Sequence, residues 1–268
     1  MLAELRKTLS KLKHYLQDTY EVLVGRRNPM TPPSHIVHIN AGNAEKIGNK
    51  FLKYFVELGG LKATDNVLDV GSGFGRMAVP LTGYLTSNSR YEGMEIIDSG
   101  VKWCTRKITP RFKNFHFTRI DVKNDRYNPK GTVQAPDFKF PFKDESFDFI
   151  ILTSVFTHML PSAIDNYLSE ISRVLKKQGK VFITYFLLND VSSYFVNKGK
   201  SQFGLKYSFE NCKIESVEDP EYVVAYREDE VDDLCKKHHM KFNAVYYGKW
   251  SGREDGLDFQ DIIVGEKN

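Results

Sequence analysis

The sequence predicts an α/β fold, a mostly parallel sheet with helices on both faces and an antiparallel edge. Three observations predict it. Residues 66–75 read Asn-Val-Leu-Asp-Val-Gly-Ser-Gly-Phe-Gly, an apolar run with one internal acid and then three glycines at alternate positions. That pattern suits a buried parallel strand entering a tight turn. From there to residue 188, strand-like and helix-like stretches alternate, which places crossover helices over a parallel sheet. Two further strand-like segments, 241–250 and 257–265, then follow a helical stretch and read as a hairpin at the sheet edge.

Composition bounds the function. A chain of 268 residues, 41% hydrophobic, can bury a sizeable core. Cys104, Cys212 and Cys235 are far apart and form no CxxC pair, so neither a zinc site nor a disulfide framework is indicated. That fits a reducing cytoplasm. No apolar run reaches membrane-spanning length, and no signal peptide precedes the first charges. The formal charge of +4 is modest and permits anionic substrates, and without a large basic stripe of interleaved aromatics it does not point to nucleic acid.

Taken in order, residues 1–27 carry Leu2, Leu5, Leu9, Leu12, Leu16 and Leu23 at helical steps, the seam of an amphipathic helix. It packs on its own domain, or serves as a lid or a homodimer contact. Prolines 29, 32 and 33 end it. Residues 1–42 form an N-terminal extension and 43–268 the main domain. His35 to Asn40 is a short mixed segment, and Ile47, Phe51, Tyr54, Phe55 and Leu58 mark the next helix, closed by Gly59-Gly60. After the glycine turn, Arg76 to Leu81 starts a helix. Residues 90–96 form a second strand, whose acid Glu95 lies about twenty residues past the turn, where such folds hold ribose hydroxyls. Glu92 and the helix-capping Asp98 are the competing readings.

The basic stretch at Lys102, Arg106, Lys107, Arg111 and Lys113 reads as a solvated helix face. A third strand, 115–121, ends in Asp121. A fourth runs from Phe147 towards Ser154, with Thr153 at its end and His158 just beyond. A helix over 165–177 and a turn at Gln178-Gly179 lead into the fifth strand, 181–188. Residues 189–226 break the alternation and are rich in aromatics. They form an insertion at the carboxyl edge of the sheet, where ligands bind, and read equally as substrate cover or as structural decoration. Residues 228–239 are helical. In the loop 250–256, Trp250 reads as a buried residue with its indole N–H satisfied, and Arg253 as an alternative substrate contact.

Two details of the turn separate it from a dinucleotide fingerprint. The third glycine of that fingerprint would stand at position 76, where this chain has Arg76, and Asp69 would repel a pyrophosphate but attract a cation. With Glu95, Asp121 and the 147–158 segment, the Asp-x-Gly-x-Gly-x-Gly motif resembles that of the class I S-adenosylmethionine-dependent methyltransferases. The resemblance implies a Rossmann-like seven-stranded fold, S-adenosylmethionine as methyl donor and S-adenosylhomocysteine as product. It places the cofactor on Asp69, Gly71, Ser72, Gly73, Gly75 and Arg76 of the turn, and on Glu95 and Ile96 after the second strand. Asp121 and Val122 would meet the adenine, and Thr153 would close the site. His38 and Asn43 read as further cofactor contacts or as surface-loop residues. No metal is expected, since Thr153 and Ser154 are weak ligands for a hard cation.

The fourth strand lacks the acid or amide followed by Pro-Pro that marks family members acting on base or glutamine amino groups. The expected acceptor is a small molecule, most simply the hydroxyl of a sugar or secondary metabolite, with an amine, a carboxylate or a carbon nucleophile as alternatives, and with His158 as candidate general base or, instead, a turn cap. A nicotinamide-dependent oxidoreductase and a non-catalytic cofactor-binding module are the competing functions.

Overall fold

The computed structural model describes residues 12–13, 16–32 and 44–268. His38, Asn43, the 35–40 segment, Leu2, Leu5 and Leu9 of the leucine seam and the boundary at 42 fall outside these residues. Within them, 16–23 is helical, and Leu12, Leu16 and Leu23 are exposed.

The first five strands are β1 (Val67–Val70), β2 (Tyr91–Glu95), β3 (Phe115–Arg119), β4 (Phe147–Leu152) and β5 (Leu175–Tyr185). The insertion adds β6 (Leu187–Leu188), β7 (Tyr207–Phe209), β8 (Cys212–Ile214) and β9 (Val224–Arg227), and β10 (Met240–Tyr246) and β11 (Asp261–Lys267) follow. Seven of them form one sheet in the order β10-β11-β5-β4-β1-β2-β3. The pairs among β1 to β5 are parallel, and β11 runs antiparallel to both β5 and β10. β1 lies inside the sheet between β4 and β2, and all four of its residues are buried. Alternate side chains feed two cores, one on each face. Leu68, Val70, Ile150 and Leu152 face a core that includes Ile164, Leu168 and Ile171 of the Pro161–Val174 helix. Val67, Phe149, Ile151 and Phe182 face the Ala44–Glu57 helix, whose Phe55 meets Phe182 edge-on with ring centroids 4.9 Å apart. The period of two in the strands and of 3.6 in the helices thus produces the layers.

Several boundaries differ from the sequence reading. The helix after the glycine turn is only Ala78–Leu81, because residues 71–77 are spent on the turn itself. The helix expected over 165–177 is Pro161–Val174; Pro161 starts it, since proline is tolerated where the first N–H has no partner. The expected turn at Gln178 is an irregularity inside β5. There Gln178 has φ 61° and the pairing with β4 jumps from Leu175 to Lys180. β10 ends at Tyr246, so Trp250 lies in the hairpin loop rather than in a strand.

The insertion has a regular structure of its own. A helix, Asp190–Asn197, is capped by Asn189, whose side chain accepts from the N–H groups of Val191 and Ser192. The four short strands form a second sheet in the order β6-β9-β8-β7. Buried Asp261 holds it to the main sheet. One oxygen accepts the N–H of Leu187 at 2.7 Å and the Trp250 indole at 2.6 Å, and the other accepts Gly248 N–H at 2.6 Å. Burial pushes this carboxyl up to about 6 despite those donors. Trp250 is therefore the buried residue with a satisfied indole that the sequence suggests. Arg253 stacks 4.4 Å from the ring centroid of Tyr247.

Candidate active site

The carboxyl ends of β1, β2 and β4 and the loop after β3 surround a cavity of about 320 Å³. Its floor is the glycine turn. Gly71, Gly73 and Gly75 all have positive φ, at 79°, 56° and 82°, a region that side chains with a Cβ rarely enter. Their surroundings differ. A Cβ on Gly71 would lie 2.6 Å from Val155 Cγ2, and one on Gly75 would lie 2.8 Å from Ile108 Cδ1 and 3.1 Å from Cys104 Sγ. A Cβ on Gly73 meets nothing within 4 Å. Gly75 thus performs the close helix packing that a dinucleotide turn assigns to position 76, and Gly73 borders open space. Arg76 lines the cavity.

Glu95 ends β2 at the same wall and is 5% exposed. Its two oxygens accept the N–H groups of Gly73 at 2.6 Å and Ile97 at 2.7 Å. Burial raises its pKa, and those N–H groups oppose the change. Each oxygen keeps acceptor capacity, so Glu95 both fixes the turn and presents an acceptor to the cavity.

Asp69 is wholly buried one layer below. Tyr91 donates to its Oδ2, whereas its Oδ1 has no partner, and burial pushes this carboxyl up to about 7. The hydroxyl of Ser72, at the cavity wall, is a second buried polar atom without a partner.

Ile96, Ile120, Val122 and Ala135 form an apolar end of the cavity, and Thr153 and Ser154 close it at β4. Ser154 has φ 60° and is held by its N–H to Thr184 Oγ1 and by its hydroxyl to Gln260 Oε1. A non-glycine residue in that region is strained, and such strain is concentrated at functional sites. Of the expected contacts, Asp69 and Gly75 lie outside the cavity lining, and so does Asp121. Its carboxylate turns away to Thr132, accepting the hydroxyl at 2.7 Å and the N–H at 3.3 Å, and pairs with Arg119. It does not line the cavity; its neighbours Val122, Lys123 and Asn124 do.

His158 ends a 3-10 turn, 156–158, and lines the opposite wall with Tyr127 and Glu221. Its Nδ1 lies 3.0 Å from the main-chain oxygen of Glu221. A carbonyl only accepts, so Nδ1 carries the proton and Nε2 keeps a free lone pair. Burial holds the imidazole below its usual pKa, so it is neutral at pH 7. Glu221 belongs to the insertion and is invisible in the sequence, since no local pattern ties a residue to a partner 63 positions away.

Residues 68–183 match the family model for a methyltransferase domain. The chain is thus similar to methyltransferases over residues 68–183. One curated relative is the ubiquinone/menaquinone biosynthesis C-methyltransferase UbiE of Citrifermentans bemidjiense. It is 27% identical over 143 residues, 52% of this chain and 53% of the relative. The chain thus matches about half the length of that curated relative. The PH0226 protein of Pyrococcus horikoshii superposes with a TM-score of 0.58 at 17% identity, covering 91% of this chain and 97% of that one. The Burkholderia thailandensis 1,6-didemethyltoxoflavin-N1-methyltransferase, solved with S-adenosylhomocysteine, gives 0.52 at 15% identity over 84% of this chain and 78% of that one. These structures share the fold of this chain.

The residues of the cavity fit the cofactor. The free space above Gly73, the acceptor oxygens of Glu95, the apolar end at Ile96 and Val122, and the unpartnered hydroxyl of Ser72 suit a nucleoside, and the Asp69 carboxyl lies buried beneath the turn. Among the described residues, no group of three or more His, Cys, Asp or Glu side chains could hold a metal ion, and no helix is long and apolar enough to cross a membrane.

Proposed function

We propose that this protein methylates a small molecule at a hydroxyl oxygen, with His158 removing the hydroxyl proton. The observation that carries the reading is the hydrogen bond from His158 Nδ1 to the carbonyl of Glu221, which leaves Nε2 as the basic nitrogen at the cavity wall. When bound, S-adenosylmethionine supplies an electrophilic methyl group on a sulfonium. Glu95 would hold the ribose, Ile96 and Val122 the adenine, and the 71–73 turn the amino-acid portion, with Asp69 buried behind it. Burial keeps His158 neutral, and therefore able to accept a proton, at pH 7. The 189–226 insertion, which contributes Glu221 to the wall, covers the acceptor end and excludes water.

A second reading has support in the similarity to a C-methyltransferase. Removal of a proton from a phenol or enol by the same His158 would activate a ring carbon instead of the oxygen.

The test is release of S-adenosylhomocysteine from a panel of phenols, sugars and enolisable rings, with the new bond located by NMR of the product. An O–CH₃ product and a loss of about 10²–10⁴-fold in His158→Gln, the usual range for a general base, are expected. A C–CH₃ product selects the second reading, and parental turnover by the variant removes both.

A further inference from the structure

We propose that Arg126 is the positioning residue of this site: from the loop after β3 it grips the 219–222 segment of the insertion and thereby fixes which nitrogen of His158 carries the proton. The catalytic meaning of this grip rests on the reading of His158 as the base. Arg126 Nη1 pairs with Asp219 Oδ2 at 3.2 Å, and the guanidinium lies 4.9 Å from the ring centroid of Tyr222. Asp219 and Tyr222 are the two ends of one turn, closed by a hydrogen bond of 3.0 Å from Tyr222 N–H to Asp219 O. Arg126 therefore holds both ends of a four-residue turn, and Glu221 stands between them.

Glu221 uses two groups at once. Its carboxylate accepts Asn124 Nδ2 at 2.9 Å, and its carbonyl accepts His158 Nδ1–H at 3.0 Å. The partner loop is itself rigid, because Asn124 Oδ1 accepts the N–H groups of Arg126 and Tyr127. Tyr127 then meets the His158 ring edge-on, with centroids 6.1 Å apart. An exposed ion pair or a cation–π contact alone is weak. Here they act together with the Asn124 bond, so two short loops more than ninety residues apart in sequence form one body around the imidazole.

The charged groups acting on His158 are Arg126, which lowers its pKa, and Asp219, which raises it. Burial is the largest cause of the lowering, and the hydrogen bond to Glu221 opposes it. Releasing the turn admits water and removes the carbonyl that selects Nδ1–H. The proton then distributes between the two nitrogens, and the titration midpoint rises towards the ordinary value of about 6.5.

Long-range ¹H–¹⁵N spectra of histidine-labelled protein read both properties without any acceptor, with the His158 signals assigned by their absence in His158→Gln. The parent shows a single Nδ1–H tautomer with a midpoint below the ordinary value of about 6.5. Arg126→Ala shows a tautomer mixture and a higher midpoint, and Asp219→Asn, which keeps the guanidinium but loses the pair, shows a tautomer mixture as well. Arg126→Lys recovers only part of the parent signature, because an ammonium lacks the planar face. Both exchanged side chains are about 40% exposed, so the fold is retained. A parent tautomer and midpoint in Arg126→Ala would overturn the proposal. Its failure is separate from that of the base reading, which is decided by turnover of His158→Gln.

Discussion

Tyr91 on β2 donates its phenol proton to Asp69 Oδ2 on β1 at 2.6 Å, inside the sheet and away from water. A single donor does not compensate a buried charge, so the carboxyl rises from 3.8 to about 7. The folded state therefore binds a proton that the unfolded chain has already released between those values. The stability contributed by this proton is fully present below the unfolded pKa and is lost as pH rises through about 7. A tenfold difference in proton affinity between the two states is worth about 1.4 kcal/mol. Urea denaturation at about pH 5 and about pH 8, on either side of the folded value, should show the parent weakening with rising pH. Asp69→Asn, which can still accept from Tyr91, should reduce that slope. An unchanged slope in the variant would assign the effect to other carboxyls.

Glu95 is the acceptor at the cavity wall. Glu95→Ala should weaken S-adenosylhomocysteine by tenfold or more, on the order of 1.5–3 kcal/mol for a lost hydrogen bond to a charged group. Calorimetric titration reads the change directly, and parental affinity would displace Glu95 from the ribose role.

The glycines of the turn separate folding from binding. Gly75→Ala places a Cβ against Ile108 and Cys104 at positive φ, and should destabilise the protein by about 1–3 kcal/mol. Gly73→Ala shares the backbone strain but meets no neighbour, so it should lose less stability. Its larger effect should be on S-adenosylhomocysteine affinity, because the new methyl group enters space at the floor of the cavity. Thermal midpoints measured beside calorimetric affinities test the contrast.

Much of the fold is legible in the sequence because local periodicity reports burial. The run of Val67, Leu68 and Val70 before three glycines marks the inner strand, and the distance of Glu95 from the turn locates it. The insertion is illegible for a physical reason. β7, β8 and β9 are three or four residues long, too short for a period to emerge, and their order depends on pairing with β6 across more than thirty residues. Glu221 escapes notice for the same reason. Asp121 misleads because a carboxylate at a strand end suggests a ligand contact, whereas Thr132 offers it two donors in the neighbouring loop.

Asp261 should behave as a structural residue despite its nearness to the insertion. Asp261→Ala leaves the N–H groups of Leu187 and Gly248 and the Trp250 indole without an acceptor in a dry environment. At about 1–3 kcal/mol for each buried group left unsatisfied, a loss of roughly 3 kcal/mol or more follows. Chemical denaturation measures it, and a loss below about 1 kcal/mol would mean that water or another group replaces the carboxylate.

The strand order at the sheet edge has a consequence for biosynthesis. β10 is made before β11, yet β11 is the strand that joins β10 to β5. A chain emerging from the ribosome therefore carries β10 with no ladder to enter until the following strand has been synthesised. In that interval Phe242 and Val245 have no sheet to lie against, and an unpaired strand of this kind is a point of capture by other nascent chains. Chaperone dependence of expression in this protein should accordingly be set by the delay between two neighbouring strands, and not by the slow assembly of its parallel centre.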